Sequence, residues 1–262
     1  MKTGNVKKII LDVDGCVLST KGKVSHSYYM GLSQLSEMIA KANQFKFPPI
    51  CFCSGRDRNY IEAVAFATGL PNCWSIIESG VALFNPTTKE MKMNPELTEE
   101  IQRTFREITQ KRIPHALGRY NGEIFLYPGN MICIAIERAY RSKLTIEDCY
   151  DQIRMELLDL LEEGLIKVTH SDSAVDISPA GIDKASGLSF LMEREKVNPD
   201  EILGIGDSRG DFPVLKKVRH VGCPSNASPE CKNLVKEKGG YISPFSEARG
   251  IADIISRFVK GA

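Results

Sequence analysis

The pattern of apolar residues near the two ends of this chain differs from the pattern in its middle. Near both ends, short apolar runs alternate with longer segments whose apolar residues recur every three or four positions, which predicts buried strands between amphipathic helices. The predicted strands cover residues 6–13, 49–53, 201–205 and 218–222, and the predicted helices begin near residues 27, 57, 183 and 246. Alternation of this kind predicts an α/β fold with a parallel sheet covered by helices on both faces.

The middle of the chain has a different pattern. Its predicted elements are, in order, a helix that starts at Asn94 and Pro95, strands at 123–127 and 131–137, a helix at 145–162, and strands at 165–169 and 174–177. Pro128-Gly129-Asn130 is a turn sequence between the first two of these strands. Helices combined with antiparallel pairs predict an α+β unit, so we expect a discontinuous α/β domain at 1–84 and 179–262 with an α+β domain inserted at 85–178.

Composition and charge exclude several classes of protein. Hydrophobic residues make up 42% and charged residues 26% of the 262 residues, which is typical of a globular protein. The formal net charge of +1 provides no field that would attract nucleic acid. No apolar run approaches the roughly 20 residues needed to span a bilayer, and the apolar stretch before Asp12 is too short for a signal-peptide core. We therefore expect a cytoplasmic protein with no membrane or nucleic-acid partner.

The cysteines and histidines do not form a metal-binding motif. There are eight cysteines and four histidines, with no C-x-x-C pair among them and no cluster at zinc spacing. We expect the cysteines to be reduced thiols, most of them buried.

The strongest chemical signal is the sequence Ile9-Ile10-Leu11-Asp12-Val13-Asp14-Gly15-Cys16. It places two carboxylates where an apolar strand ends and a glycine loop begins, and ligands bind at the carboxyl ends of strands in an open parallel sheet. Such a pair can hold a hard cation through oxygen, or one carboxylate can attack phosphorus while the other handles the proton of the leaving group. Taken alone, the same sequence is equally typical of an ordinary turn after a strand.

Three further segments favour the chemical interpretation over the turn. Ser54-Gly55-Arg56 follows the second strand and offers a hydroxyl and free N–H groups to a phosphate oxygen. Lys184, at a helix start, can neutralise phosphoryl charge. The last segment, from Gly206 to Asp211, adds two more carboxylates after a strand. Each segment alone could be structural, but all four stand at predicted strand ends or helix starts.

Together these motifs resemble those of the haloacid dehalogenase superfamily, in which most members are phosphatases. Asp12 and Asp14 match its D-x-D-G motif, Ser54 the second motif, Lys184 the third, and Asp207 with Asp211 the fourth. The insertion between Ser54 and Lys184 resembles the large α+β cap of the subfamily (type IIB, Cof-like) that contains sugar-phosphate phosphatases and phosphomannomutases. Residues 176–184 are similar to that subfamily's return from cap to core, and Glu78-Ser79-Gly80 resembles its Glu-Asn-Gly loop. The resemblance implies a Rossmann-like core.

The resemblance also implies a role for each residue. Asp12 would be the nucleophile that forms an aspartyl-phosphate, Asp14 the general acid and base, and Lys184 a catalytic cation. Ser54, Gly55 and Lys184 would bind the substrate phosphate. The Mg²⁺ ligands would be drawn from Asp12, Asp14 through its backbone carbonyl, Asp207 and Asp211, of which Asp211 would support the metal shell. Cys16 stands where many relatives have Thr, and Gly210 where many have Asn beside the final Asp.

These observations predict a magnesium-dependent phosphatase that acts on a small phosphorylated metabolite, either a sugar phosphate or a phospho-carboxylic acid. A cap can close over a compact substrate and exclude water. Two other functions stay open on the motifs alone. A phosphomutase would pass the phosphoryl group to a sugar hydroxyl at the same site, and a non-catalytic module would bind phosphate without turnover.

Overall fold

The computed structural model describes residues 6–20, 25–44, 47–120, 122–171 and 174–259. Within these residues the strands are β1 (Lys8–Leu11), β2 (Ile50–Phe52), β3 (Ser75–Ile77), β4 (Ala82–Phe84), β5 (Met91–Met93), β6 (Ile124–Leu126), β7 (Ile134–Arg138), β8 (Ile166–His170), β9 (Ala174–Pro179), β10 (Ile202–Ile205), β11 (His220–Cys223) and β12 (Tyr241–Ile242).

The helices alternate with these strands. In chain order they are α1 (His26–Asn43), α2 (Arg58–Thr68), α3 (Glu99–Glu107), α4 (Ile113–Gly118), α5 (Ile146–Glu156), α6 (Leu158–Glu162), α7 (Lys184–Glu195), α8 (Phe212–Lys217), α9 (Pro229–Glu237) and α10 (Glu247–Phe258). A π-helical turn, Ile108–Arg112, joins α3 to α4.

A five-stranded parallel sheet forms the core of the fold. Its strand order is β12-β11-β10-β1-β2, so β1 lies between β2 and β10. One apolar cluster packs Ile9 and Leu11 of β1 against α1, α2 and α10. A second cluster packs Ile10 of the same strand against α7, α8 and α9. Because successive side chains of a strand point to opposite faces, β1 is buried on both sides, which explains its uninterrupted apolar sequence.

Two antiparallel sheets complete the molecule. The small sheet β3-β4-β5 is joined to the end of β2 by a single bridge between Cys53 and Ile76. The larger sheet, β6-β7-β9-β8, packs one face against α3 to α6 around a third apolar cluster that includes Phe105, Ile136 and Ile177. We call the larger sheet with its helices the cap.

The predicted fold class is confirmed: an α/β core with a parallel sheet is combined with two antiparallel sheets, the larger of which belongs to the cap. Domain boundaries at residues 84–85 and 178–179 stay a prediction. The predicted elements differ from the observed ones most clearly at three places. The helix expected at Asn94 begins at Glu99 after its N-cap Thr98, the strand expected at 131 begins at Ile134, and the helix expected over 145–162 is interrupted at Leu157.

The chemistry of the cysteines agrees with the sequence prediction. All eight are free thiols, and all except Cys133 are buried. Among the residues described, no helix combines the length and apolar character that crossing a membrane would require. The cytoplasmic location stays a prediction.

Candidate active site

The predicted site residues lie at one edge of the parallel sheet. Asp12 follows β1, Ser54 follows β2 on one side of it, and Asp207 follows β10 on the other. Lys184 is the first residue of α7, whose N-cap Asp183 accepts hydrogen bonds from the N–H groups of Ala185 and Ser186. Parallel strands present their carboxyl ends at one edge, so the topology brings together residues that are far apart in sequence.

The closest contacts in the site join Lys184 to two aspartates. Its Nζ atom lies 2.7 Å from Asp12 Oδ1 and 2.7 Å from Asp211 Oδ1. The three side chains are nearly buried, with exposed fractions of 10% for Lys184, 9% for Asp12 and 4% for Asp211. Both hydrogen bonds are therefore charge-assisted and screened little by solvent.

Negative charge exceeds positive charge in this buried group. Burial, and next the charge of Asp211, raise the pKa of Asp12 to about 8. Burial and Asp211 also raise the pKa of Asp207, to about 6. Burial alone would lower the pKa of Lys184, but the carboxylates of Asp12 and Asp211 raise it well above its usual value. The lysine is thus protonated, but its single charge does not offset the burial and mutual repulsion that raise the pKa values of Asp12 and Asp207.

The donor set fits a hard divalent cation. Ligand atoms of Asp12, Cys16 and Asp207 all lie within 4.8 Å of one another. Carboxylate oxygens are preferred ligands of Mg²⁺. The Cys16 thiol is a poor ligand for such an ion because burial raises its pKa and keeps it protonated. Asp12 and Asp207 therefore suit Mg²⁺, although the metal and its ligands stay a prediction.

Asp211 organises the loop that carries Asp207. Its Oδ2 atom accepts hydrogen bonds from the N–H groups of Asp207 at 2.9 Å and Ser208 at 3.1 Å, while its Oδ1 atom binds Lys184. The carboxylate is thus occupied by the protein on both oxygens. The contact with Asp211 Oδ1 orients the Lys184 side chain. A place for Asp211 in the metal shell stays a prediction.

Asp14 lies apart from the buried aspartates and is held on both oxygens. Tyr60 Oη donates to Asp14 Oδ1 at 2.7 Å, and Arg56 Nε donates to Asp14 Oδ2 at 3.2 Å. About a third of the Asp14 side chain is exposed. This position near solvent is compatible with the exchange of protons with a leaving group or with water.

The second predicted motif forms a tight turn after β2. Ser54 is buried, and its Oγ atom accepts a hydrogen bond from the N–H of Arg56 at 3.1 Å. A side chain at Gly55 would begin 3.2 Å from Ser79 Oγ, so the backbone there is closely approached by a second loop. The phosphate-binding roles of Ser54 and Gly55 stay predictions.

Sequence reasoning missed several residues around Asp14. Tyr60 stands in the first turn of α2, and Glu137 reaches Arg56 from cap strand β7 with Oε1 3.7 Å from Nη1. Asn226 also contributes, since its Nδ2 atom donates to the carbonyl of Gly15 at 2.8 Å. The first turn of a helix that follows a motif strand is a usable signal for Tyr60, whereas no local sequence pattern indicates Glu137 or Asn226.

Comparison with known proteins agrees with this fold. The model of a family described as haloacid dehalogenase-like hydrolase matches residues 140–255. A phosphoglycolate phosphatase from Methanospirillum hungatei is 29% identical over 103 residues, which is 39% of this chain and 43% of that protein. A phosphoglycolate phosphatase from Methanobrevibacter smithii is 22% identical over 97% of this chain and 99% of its own length.

Solved structures show the same fold. A haloacid dehalogenase-like hydrolase from Bacteroides thetaiotaomicron has a TM-score of 0.71 at 19% identity, covering 96% of this chain and 99% of that chain. The sucrose-phosphatase of Synechocystis sp., solved with sucrose and phosphate, has a TM-score of 0.66 at 18% identity, covering 97% and 98%.

The chain is thus similar to haloacid dehalogenase-like hydrolases over residues 140–255 and shares the fold of such proteins over nearly its whole length. These similarities agree with the resemblance that the motifs indicated, although the chain spans less than half the length of the Methanospirillum relative it matches.

Proposed function

We propose that this protein is a magnesium-dependent phosphatase that hydrolyses a small phosphate monoester through an aspartyl-phosphate on Asp12. The observation that carries the proposal is the buried contact of 2.7 Å between Asp12 Oδ1 and Lys184 Nζ, with Asp211 on the far side of the lysine. A carboxylate nucleophile repels a phosphate dianion unless positive charge is fixed beside it, and Lys184 provides that charge.

The first step transfers the phosphoryl group to the enzyme. A carboxylate oxygen of Asp12 forms a bond to phosphorus while the bond between phosphorus and the ester oxygen breaks. The carboxyl group of Asp14 donates its proton to the leaving alkoxide. Arg56 and Tyr60 orient Asp14 for this transfer through the hydrogen bonds described above.

The second step restores the enzyme. Water attacks the phosphorus of the aspartyl-phosphate, Asp14 accepts the proton of that water, and inorganic phosphate departs from Asp12. Ser54 and the N–H group of Gly55 bind the oxygens of the transferred group, and Lys184 neutralises their charge.

Asp12 and Asp207, with the backbone carbonyl of Asp14, would hold Mg²⁺, and Asp211 would support this shell. When bound, the ion supplies the second fixed positive charge that a buried site with excess carboxylates lacks. Its chemistry is electrostatic: it offsets the charge of phosphoryl oxygens and keeps Asp12 ionised.

The substrate is a small phosphorylated metabolite, either a sugar phosphate or a phospho-carboxylic acid. Both classes have precedent among similar proteins, since the curated relatives are named phosphoglycolate phosphatases and a structural neighbour is a sucrose-phosphatase. Glu137 of the cap sheet contacts Arg56 of the core beside Asp14. This contact supports a compact leaving group that lies between the cap and the core.

The test is a phosphate-release assay with Mg²⁺ over a panel that includes phosphoglycolate, hexose phosphates and sucrose 6-phosphate. We expect wild type to release phosphate from at least one member. Asp12→Asn keeps the shape of the side chain but removes the nucleophile, so its turnover should fall by at least about 10³-fold. Asp151→Asn, the same change on the exposed side of α5, is the matched control.

Two outcomes would contradict the proposal. Equal turnover by Asp12→Asn and wild type would remove Asp12 from the mechanism. Interconversion of hexose 1- and 6-phosphates with little free phosphate would show that the acceptor is a sugar hydroxyl and that the enzyme is a phosphomutase.

A further inference from the structure

Glu78 is a buried carboxylate that the proposed reaction does not use. It follows β3, begins the Glu78-Ser79-Gly80 loop and has no exposed surface. Its carboxylate accepts hydrogen bonds from three consecutive backbone N–H groups of the cap, those of Met131 at 2.7 Å, Ile132 at 2.9 Å and Cys133 at 3.0 Å. One side chain outside the cap therefore fixes a whole turn of the cap backbone.

These bonds explain where β7 begins. The sequence predicts a strand from residue 131, yet the strand starts at Ile134. The N–H groups of residues 131–133 bind Glu78 and are therefore not available to a neighbouring strand. The contact thus changes the path of the cap hairpin at the point where it meets the core.

The same loop also holds the substrate-binding turn after β2. The N–H of Glu78 donates to the carbonyl of Arg56 at 3.0 Å, and the N–H of Ser79 donates to the carbonyl of Ser54 at 3.0 Å. Ser54 is the proposed phosphate-binding residue, and Arg56 contacts Asp14. Glu78 is thus bonded through its backbone to the core turn and through its side chain to the cap.

The third residue of the loop approaches the helix that carries Lys184. Gly80 has a φ of +105°, and a Cβ at this position would lie 2.0 Å from the carbonyl oxygen of Asp183. Glu78 and Ser79 also have positive φ values, 45° and 53°, which are unfavourable for residues with side chains. Contacts with the cap backbone, with the turn after β2 and with Asp183 before α7 maintain this conformation, so the loop is rigid.

A purely packing role does not explain why the residue is a carboxylate. Burial raises the pKa of Glu78 above its ordinary value, although the three backbone N–H groups lower it, so the charged form is costly to hold there. A carboxylate has acceptor sites on two oxygens and no donor, which suits three N–H groups arriving together.

We propose that Glu78 is a positioning residue that fixes the cap hairpin relative to the substrate-binding turn at Ser54–Arg56. By fixing the hairpin, Glu78 also fixes the positions at which Glu137 contacts Arg56 and Tyr127 contacts Asp57. The kinetic consequence rests on the proposed function: a substrate whose leaving group reaches the cap needs Glu78 more than one that does not.

The test compares Glu78→Gln with wild type in two measurements. Gln keeps the side-chain length but replaces one acceptor oxygen with an NH₂ group that faces backbone donors. Hydrogen–deuterium exchange of a peptide that spans residues 128–136 should become at least tenfold faster in the variant. KM for the best sugar phosphate should rise at least tenfold with kcat within about threefold, while KM for acetyl phosphate, whose leaving group is small, should change less than threefold.

Two further variants separate positioning from stability. Tyr127→Phe removes the hydrogen bond of 3.1 Å to Asp57 in the same region and should leave the exchange of residues 128–136 unchanged. Glu78→Asp retains a carboxylate, so its KM for the sugar phosphate should lie between those of wild type and Glu78→Gln. Unchanged exchange in Glu78→Gln would overturn the proposal, and so would a lower melting temperature with unchanged KM for the sugar phosphate.

The two proposals fail in different ways. If wild type releases no phosphate from any substrate, the proposed function fails, and the exchange measurement alone still decides whether Glu78 positions the hairpin. If wild type is active and Glu78→Gln changes neither exchange nor KM, the positioning role fails while the phosphatase stands.

Discussion

The ammonium group of Lys184 lies between two carboxylates, with Asp12 and Asp211 at 2.7 Å on either side. In the proposed reaction the lysine would compensate the charge of Asp12 before substrate arrives, and it would remain in place when phosphoryl charge replaces the charge of Asp12. Side chains that are already held in place do not need to reorganise during the reaction, which is the basis of electrostatic catalysis.

Replacing Lys184 with Met should separate this electrostatic role from packing. Met has similar length and no charge, so we expect kcat to fall by about 10²–10³-fold, the usual effect of losing one fixed donor to a developing charge. Removing one partner of a buried ion pair should also lower the free energy of unfolding by about 3–5 kcal/mol. Phosphate release and urea denaturation measure the two effects.

The matched control is Lys92→Met, the same change at an exposed position on β5. It should leave both quantities within error of wild type. A kcat for Lys184→Met within threefold of wild type would show that the reaction does not depend on this charge.

The site residues could be predicted where each one stands directly beside a strand end. Asp12, Ser54 and Asp207 follow neighbouring parallel strands, so their convergence needs only the sheet order. For the partners of Asp14, the sequence marks at most the position of Tyr60 in the first turn of α2 and not the contact itself. Whether Tyr60 and Arg56 reach Asp14 depends on the rotation of α2 and on the shape of the turn at Ser54, and neither is encoded by residue spacing.

At the scale of elements, the open face of the cap sheet carries negative charge near Arg56. Side chains on β7 and β9 alternate, and Ile136 and Ile177 face the cap helices, which leaves Glu137 and Asp176 on the opposite face. Desolvation by the surrounding protein raises the pKa of Asp176, Arg56 lowers it and Glu137 raises it, so the three groups lie close together. Phe125, which is paired with Glu137, is 42% exposed on the same face.

This face should favour leaving groups rich in hydroxyls over leaving groups with a carboxylate. A substrate carboxylate about 6 Å from Glu137 or Asp176 would meet a repulsion of about 1–3 kcal/mol near a protein surface. We therefore expect kcat/KM for hexose phosphates to exceed that for phospho-carboxylic acids by at least about tenfold. In Glu137→Gln, the value for the phospho-carboxylic acids should rise several-fold.

Glu147→Gln is the matched control, because Glu147 is exposed at the start of α5, on the helical side of the cap. It should not change the ratio of the two substrate classes. A wild-type preference for phospho-carboxylic acids, unaffected by Glu137→Gln, would show that these carboxylates do not face the leaving group.

Element ends deviated from the sequence patterns where a side chain serves a distant contact. Asn94 was expected to start a helix, but its Nδ2 atom donates to the carbonyl of Gly80 at 2.9 Å and its Oδ1 atom accepts from the N–H of Glu96. The helix therefore starts only after Thr98, which supplies the cap. The late start of β7 has the same kind of cause, since Glu78 lies 53 residues before Met131.

At the scale of the whole molecule, the apolar pattern of the two ends of the chain and that of its middle correspond to separate apolar clusters. Two clusters cover the faces of the parallel sheet, and the third lies between the cap sheet and its helices. Periodicity predicts such clusters because each depends on which face of an element is apolar. How the cap stands on the core depends instead on single polar contacts such as those of Glu78 and Arg56, which have no periodic signature.

The buried charge of the site also links the stability of the whole molecule to pH and to metal. The pKa values of Asp12 and Asp207, about 8 and about 6, are raised above those of an unfolded chain. The folded protein without metal therefore binds more protons than the unfolded chain between about pH 4 and pH 8. Its stability should be greatest at the acidic end of that window and should fall as pH rises through 6 and then 8.

Magnesium should reverse this loss, because a cation between Asp12 and Asp207 favours their ionised forms and binds only the folded state. We expect the melting temperature in EDTA to decrease from pH 5.5 to pH 8, and the increase produced by Mg²⁺ to be several degrees larger at pH 8 than at pH 5.5. Asp207→Asn should weaken both effects, because it removes one of the two titrating carboxylates and one ligand. A Mg²⁺-induced shift that is equal at both pH values would mean that these aspartates do not bind the ion.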